Sequence, residues 1–103
     1  MVELIMAEFG EDRKNAGGST FSEDRLNPSL DSFREYFPNC KVTLYCDFDY
    51  KSDDIEVIKV NPSKIFDKSH RRYGWRAQDY YKVYGLSKSK ADVAISLDAD
   101  MKI

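Results

Sequence analysis

A chain of 103 residues with 16 Lys plus Arg against 18 Asp plus Glu has room for one domain and carries a net charge of −2. Its 42% hydrophobic and 14% aromatic content excludes a disordered chain, and no apolar run approaches the ~18 residues of a membrane span. The acidic balance argues against a nucleic-acid partner, and the opening MVELIMAEFG, acidic at position 3, does not read as a secretory leader, so a soluble cytoplasmic chain with no membrane partner is expected.

Val2 to Glu8 (VELIMAE) is a short apolar run that predicts a buried strand. The polar stretch from Phe9 to Leu26, with Gly17-Gly18 at its centre, predicts a long loop. It contains neither GxGxxG nor a pattern ending in Gly-Lys-Ser/Thr, so it is not a phosphate loop. Asn27-Pro28 has the form of an N-cap followed by the first helical residue, and Leu30, Phe33 and Phe37 share one face of the helix that Pro38 ends. Lys41 to Cys46 (KVTLYC) and Ile55 to Val60 (IEVIKV) predict strands two and three. A helix from about Gly74 to Lys90 follows, with Ala77, Tyr80, Tyr81 and Tyr84 at helical spacing, and then a fourth strand, Ala91 to Leu97 (ADVAISL). Cys40 and Cys46 lie roughly 20 Å apart along an extended chain. A bridge needs under about 7 Å, so they are read as unpaired thiols.

This order of elements, with near-continuous apolar strands, predicts a three-layer α/β/α domain around a mostly parallel sheet of order 3-2-1-4. Such sheets bind ligands beyond the carboxyl ends of their strands where the winding reverses, here between strands one and four. The residues that follow those strand ends are therefore the first candidates for chemistry.

Strand four runs directly into Asp98-Ala99-Asp100. Carboxylates at i and i+2 of an extended chain point to the same side, where both can face one divalent cation. Asp47 and Asp49 follow strand two, where a carboxylate can accept hydrogen bonds from a base or ribose and a neighbouring Tyr45 or Phe48 can stack on the base. Between them in the chain lies a basic stretch, Lys64, Lys68, His70, Arg71, Arg72 and Arg76. Its arginines stand at the start of the second helix, where backbone N–H groups and the helix dipole favour an anion. His70 is read as a loop histidine. Trp75 and the helix tyrosines are read as packing rather than a sugar platform.

Arg76-Ala77-Gln78, Tyr84-Gly85-Leu86 and the run Ala91 to Asp100 resemble the nucleotide-binding half of the nucleotide-diphospho-sugar transferases, glycosyltransferases of the A-type, Rossmann-like fold. The resemblance implies that Asp98 and Asp100 hold Mn²⁺ or Mg²⁺ and the diphosphate of a nucleotide-diphosphate sugar. It also implies that Asp47 meets the base and that Arg76 approaches the diphosphate or sugar. Members of that family continue well beyond this motif, so residues 1–103 are expected to be a single partial domain. Such a domain would bind donor without transferring it alone, and would form a homodimer that covers the fourth strand. Two other readings stand beside it. Thr43-Leu44-Tyr45-Cys46-Asp47-Phe48-Asp49 matches the first part of the haloacid-dehalogenase signature, with Asp47 as nucleophile and Asp49 as acid/base, although Lys51 stands where that motif has Thr or Val. The third reading is a non-enzymatic α/β interaction module.

Overall fold

The computed structural model describes residues 1–9, 22–50, 54–67, 69 and 72–97. Strand β1 (Val2–Glu8) is followed by helix α1 (Ser22–Tyr36), strands β2 (Lys41–Cys46) and β3 (Glu56–Lys59), and a 3₁₀ turn (Pro62–Lys64). Helix α2 (Tyr73–Lys88) and strand β4 (Val93–Ser96) complete the order. The four strands form one sheet of order β3-β2-β1-β4, every pair parallel, with Leu4 opposite both Val42 and Ile95 and Tyr45 opposite Ile58.

Alternation along the strands sorts the side chains into two cores. Leu4, Met6, Val42, Leu44 and Cys46 point to one face and pack with Leu30 and Phe33 of α1. Ile5, Ala7 and Tyr45 point to the other and pack with Phe9 and with Ala77 and Tyr81 of α2. Both faces of β1 are thus covered, which is why its central residues form an unbroken apolar run. The result is the expected three-layer α/β/α domain with the expected strand order, a small Rossmann-like fold.

Several boundaries differ from the sequence reading. Helix α1 begins at Ser22 rather than at Asn27, so Pro28 lies inside it. The actual start carries the acids Glu23 and Asp24 in its first turn, where the helix dipole favours negative charge. The predicted loop is correspondingly shorter, and Phe9, expected to open it, is fully buried in the α2-side core. Residues 10–21, Gly17 and Gly18 among them, lie outside the described residues. On α2 the buried line is Ala77, Tyr81 and Gly85, four residues apart, while Tyr80 and Tyr84 flank it and are exposed.

At Gly85 α2 lies close against β1 and β2. A Cβ built there would lie 2.5 Å from Ile5 Cγ2 and 2.9 Å from Tyr45 Cε2. Only a residue without a side chain lets the helix sit this close. The chain's first residue is tied down as well, its ammonium group pairing with Asp92 just before β4. Cys40 and Cys46 are both free thiols. No helix among the described residues is long and apolar enough to cross a membrane.

Candidate functional site

In a parallel sheet every strand delivers its C-terminal residue to the same edge, here Glu8, Cys46, Lys59 and Ser96, each followed by the residue that leaves the sheet, Phe9, Asp47, Val60 and Leu97. The chain goes from β1 outward to β2 and β3, then returns to β4 on the other side of β1, so β1 and β4 flank the point where winding reverses.

Asp47 is half-buried directly after β2. The turn that carries it is held on two sides. Cys46 Sγ donates to the Phe48 carbonyl at 3.3 Å, and Tyr50 Oη donates to Asn27 Oδ1 of α1 at 2.8 Å. Beyond Cys46 the Val60 N–H donates to the Cys46 carbonyl at 2.8 Å, extending the β2–β3 ladder to the strand ends. Asp49 faces away from this framework; its Oδ1 accepts from Lys59 Nζ at 2.9 Å and its side chain is largely exposed.

Arg76 stands in the first turn of α2, exposed, and its N–H closes the first helical bond on the Arg72 carbonyl at 3.0 Å. Arg72 occupies the N-cap position without a side-chain capping bond, so the cap residue leaves the amide groups of the first turn to other partners. Two guanidinium groups one turn apart thus accompany the positive end of the helix dipole. Because α2 runs back from the β3 side toward the start of β4, that positive end lies on the carboxyl side of the sheet, the side of Asp47. Lys64 ends the 3₁₀ turn that Asn61 caps through its Oδ1, 3.2 Å from the Ser63 N–H. Asp98 and Asp100, together with Lys68, His70 and Arg71, lie outside the described residues, and so does the Trp75 side chain; Asp98 follows β4 by two residues.

One expectation about this site is overturned. Tyr45 does not reach a base at the carboxyl edge, because it is 5% exposed and its ring stacks against Tyr81 at 5.7 Å and meets Tyr84 edge-on at 5.9 Å under α2. Phe48 packs against the α1-side core and edge-on against Tyr50. One residue was missed: Glu8, the last residue of β1, is fully buried at the reversal point. In the sequence it looked like the polar end of an apolar run, and the tight covering of β1 by other elements is a long-range fact. Burial also pushes the Cys46 thiol up to about 11, so it is an inert neutral group beside the turn.

Among the described residues no group of three His, Cys, Asp or Glu side chains converges to hold a metal ion. A pair of aspartates is a hard-oxygen donor set, and Mn²⁺ or Mg²⁺ bound by two carboxylates takes its remaining oxygens from water and phosphate, so the Asp98 and Asp100 residue types fit such an ion. No family model matches the sequence, and no curated protein or solved structure matches it.

Proposed function

We propose that this chain binds a nucleotide-diphosphate sugar at the carboxyl edge of its sheet, in the manner of metal-dependent glycosyltransferases of the A-type fold. The observation that carries the reading is the all-parallel order β3-β2-β1-β4, which puts a winding reversal between β1 and a strand that ends two residues before Asp98.

In this reading Asp98 and Asp100 hold Mn²⁺ or Mg²⁺, which when bound neutralises charge on the diphosphate leaving group. Arg76 pairs with a phosphate oxygen or sugar hydroxyl from the first turn of α2. Asp47 accepts a hydrogen bond from the base or ribose, and the two anchors on its turn keep the carboxylate at the strand end. The hydrolase reading has less behind it, since Asp49, which would be its acid/base, is ion-paired with Lys59. A homodimer through β4 belongs to the same proposal, because β4 is an edge strand among those described, has no charged residue, and leaves Val93 half exposed.

Calorimetry with a panel of sugar nucleotides and Mn²⁺ tests the proposal. The wild type is expected to release heat that Asp98→Asn and Asp100→Asn lose and that Asp47→Asn and Arg76→Ala reduce. Equal heats in all five proteins would overturn it.

A further inference from the structure

The opposite half of the sheet carries a second concavity. One helix cannot cover four strands: α2 packs over β1 and β4 and, through Tyr81 and Tyr84, over Tyr45 of β2, and a concavity remains toward the amino ends of β2 and β3 beside the helix's last turn. There a cavity of about 280 Å³ is lined by alternate residues of three strands, Glu3, Thr43, Tyr45 and Glu56 among them, and by Lys88 and Lys90.

Its floor is built. Glu3 is 4% exposed and accepts hydrogen bonds from Thr43 Oγ1 at 2.6 Å and from the Ser89 hydroxyl, while Lys41 Nζ lies 3.8 Å from Glu3 and 3.2 Å from Glu56. The two carboxylates are thus satisfied by two hydroxyls and one ammonium group. Lys88 and Lys90 have no carboxylate partner among the described residues; Lys88 instead sits 5.6 Å over the Tyr84 ring. Tyr45, beneath them, makes ring contacts with Tyr81 and Tyr84 but no hydrogen bond to a described residue, and its hydroxyl is not shut off from the cavity. Burial, with Tyr84 and the Glu3 and Glu56 carboxylates nearby, raises its phenol above the ordinary value, so it remains a donor. The two carboxylates, the two hydroxyls and the Lys41 ammonium of the lining are thus paired with one another, whereas the Lys88 and Lys90 ammonium groups are left to other partners. The charges on the lining sum to an excess of one cation, three lysines against two glutamates, the Met1 ammonium being paired with Asp92.

We propose that this cavity binds a small anion, a carboxylate or a phosphate monoester, held by Lys88, Lys90 and the Tyr45 hydroxyl over the apolar surface of Ile5 and Ile58. A cavity of about 280 Å³ sits at the lower limit of ligand pockets, ~300–1,000 Å³, which selects a molecule smaller than a nucleotide. The site is separate from the carboxyl edge and does not depend on what binds there.

Titration calorimetry at fixed ionic strength tests it, with chloride as the reference and inorganic phosphate, glycerol phosphate and glutarate as probes. At least one probe is expected to bind, and the pattern of heats separates phosphate from carboxylate recognition. Replacing Lys88 and Lys90 together by Ala, both exposed and free to change without disturbing the core, is expected to weaken binding roughly a hundredfold, and Tyr45→Phe, which keeps the ring, roughly tenfold. Asp98→Asn and Asp100→Asn are expected to bind the probe as the wild type does, so failure of the carboxyl-edge proposal leaves this result intact. No heat above chloride from any probe, or binding that survives both substitutions, would overturn the assignment.

Discussion

Gly85→Ala tests how closely α2 is pressed onto the sheet. The added methyl would lie 2.5 Å from Ile5 Cγ2, which is fixed to the branched Cβ of a strand residue and cannot swing away. Carbon atoms in ordinary contact stand ~3.5–4.0 Å apart, so relief requires the helix to lift by about 1 Å or Ile5 to leave its rotamer. Overpacking of this kind costs about 1–3 kcal/mol, while Ala in place of Gly in a helix returns about 1 kcal/mol. The net expectation is a destabilisation of up to about 2 kcal/mol, which for a chain of this size lowers Tm by up to roughly 15 °C. Thermal and urea unfolding followed by circular dichroism measure it. In an Ile5→Ala background the same substitution should cost less, because the methyl that it meets is gone, and the double-mutant cycle isolates that contact. A Gly85→Ala protein at least as stable as the wild type, or a cycle without coupling, would refute the close-approach argument.

Two further outcomes follow from the titrating groups. Burial of Glu3 acts to raise its carboxyl, but the Ser89 and Thr43 hydroxyls and the Lys41 charge outweigh it and hold the group below its ordinary 4.5. A depressed folded-state value stabilises the fold above about pH 4.5 and loses that contribution as pH falls through the lower value, so Glu3→Gln should flatten the acid limb of the stability–pH curve; an unchanged limb would contradict this. Cys40 is half-buried and Cys46 is buried with its thiol up at about 11, so a thiol reagent at pH 8 should label Cys40 first and reach Cys46 only on unfolding. Equal labelling rates in the native protein would contradict the described core.

The fold was legible where the signals were local. Lys41–Cys46 was read to the residue because Pro38-Asn39 closes the preceding helix, a polar Lys starts the run and Asp47 ends it. The strand order followed from the element sequence and the covering of β1. The start of α1 differs from the sequence reading because Asn27-Pro28 imitates a helix start inside a helix that begins five residues earlier. Glu3, Glu8, Tyr45 and Gly85 escaped sequence reading for a common reason: their environments are made by residues far away in the chain. The Ser89 that satisfies Glu3 is 86 positions distant, and the contact that demands Gly85 comes from Ile5.

The most direct measurement of the central claim is the paramagnetic effect of Mn²⁺, added with a nucleoside diphosphate, on the backbone amide signals of the protein. The account predicts selective broadening at the carboxyl edge, at Phe9, Asp47, Phe48 and Leu97 and in the first turn of α2, with Val2, Lys41 and Val93 at the amino edge left sharp. Broadening centred on the amino edge, or none that depends on Asp98 and Asp100, would contradict it.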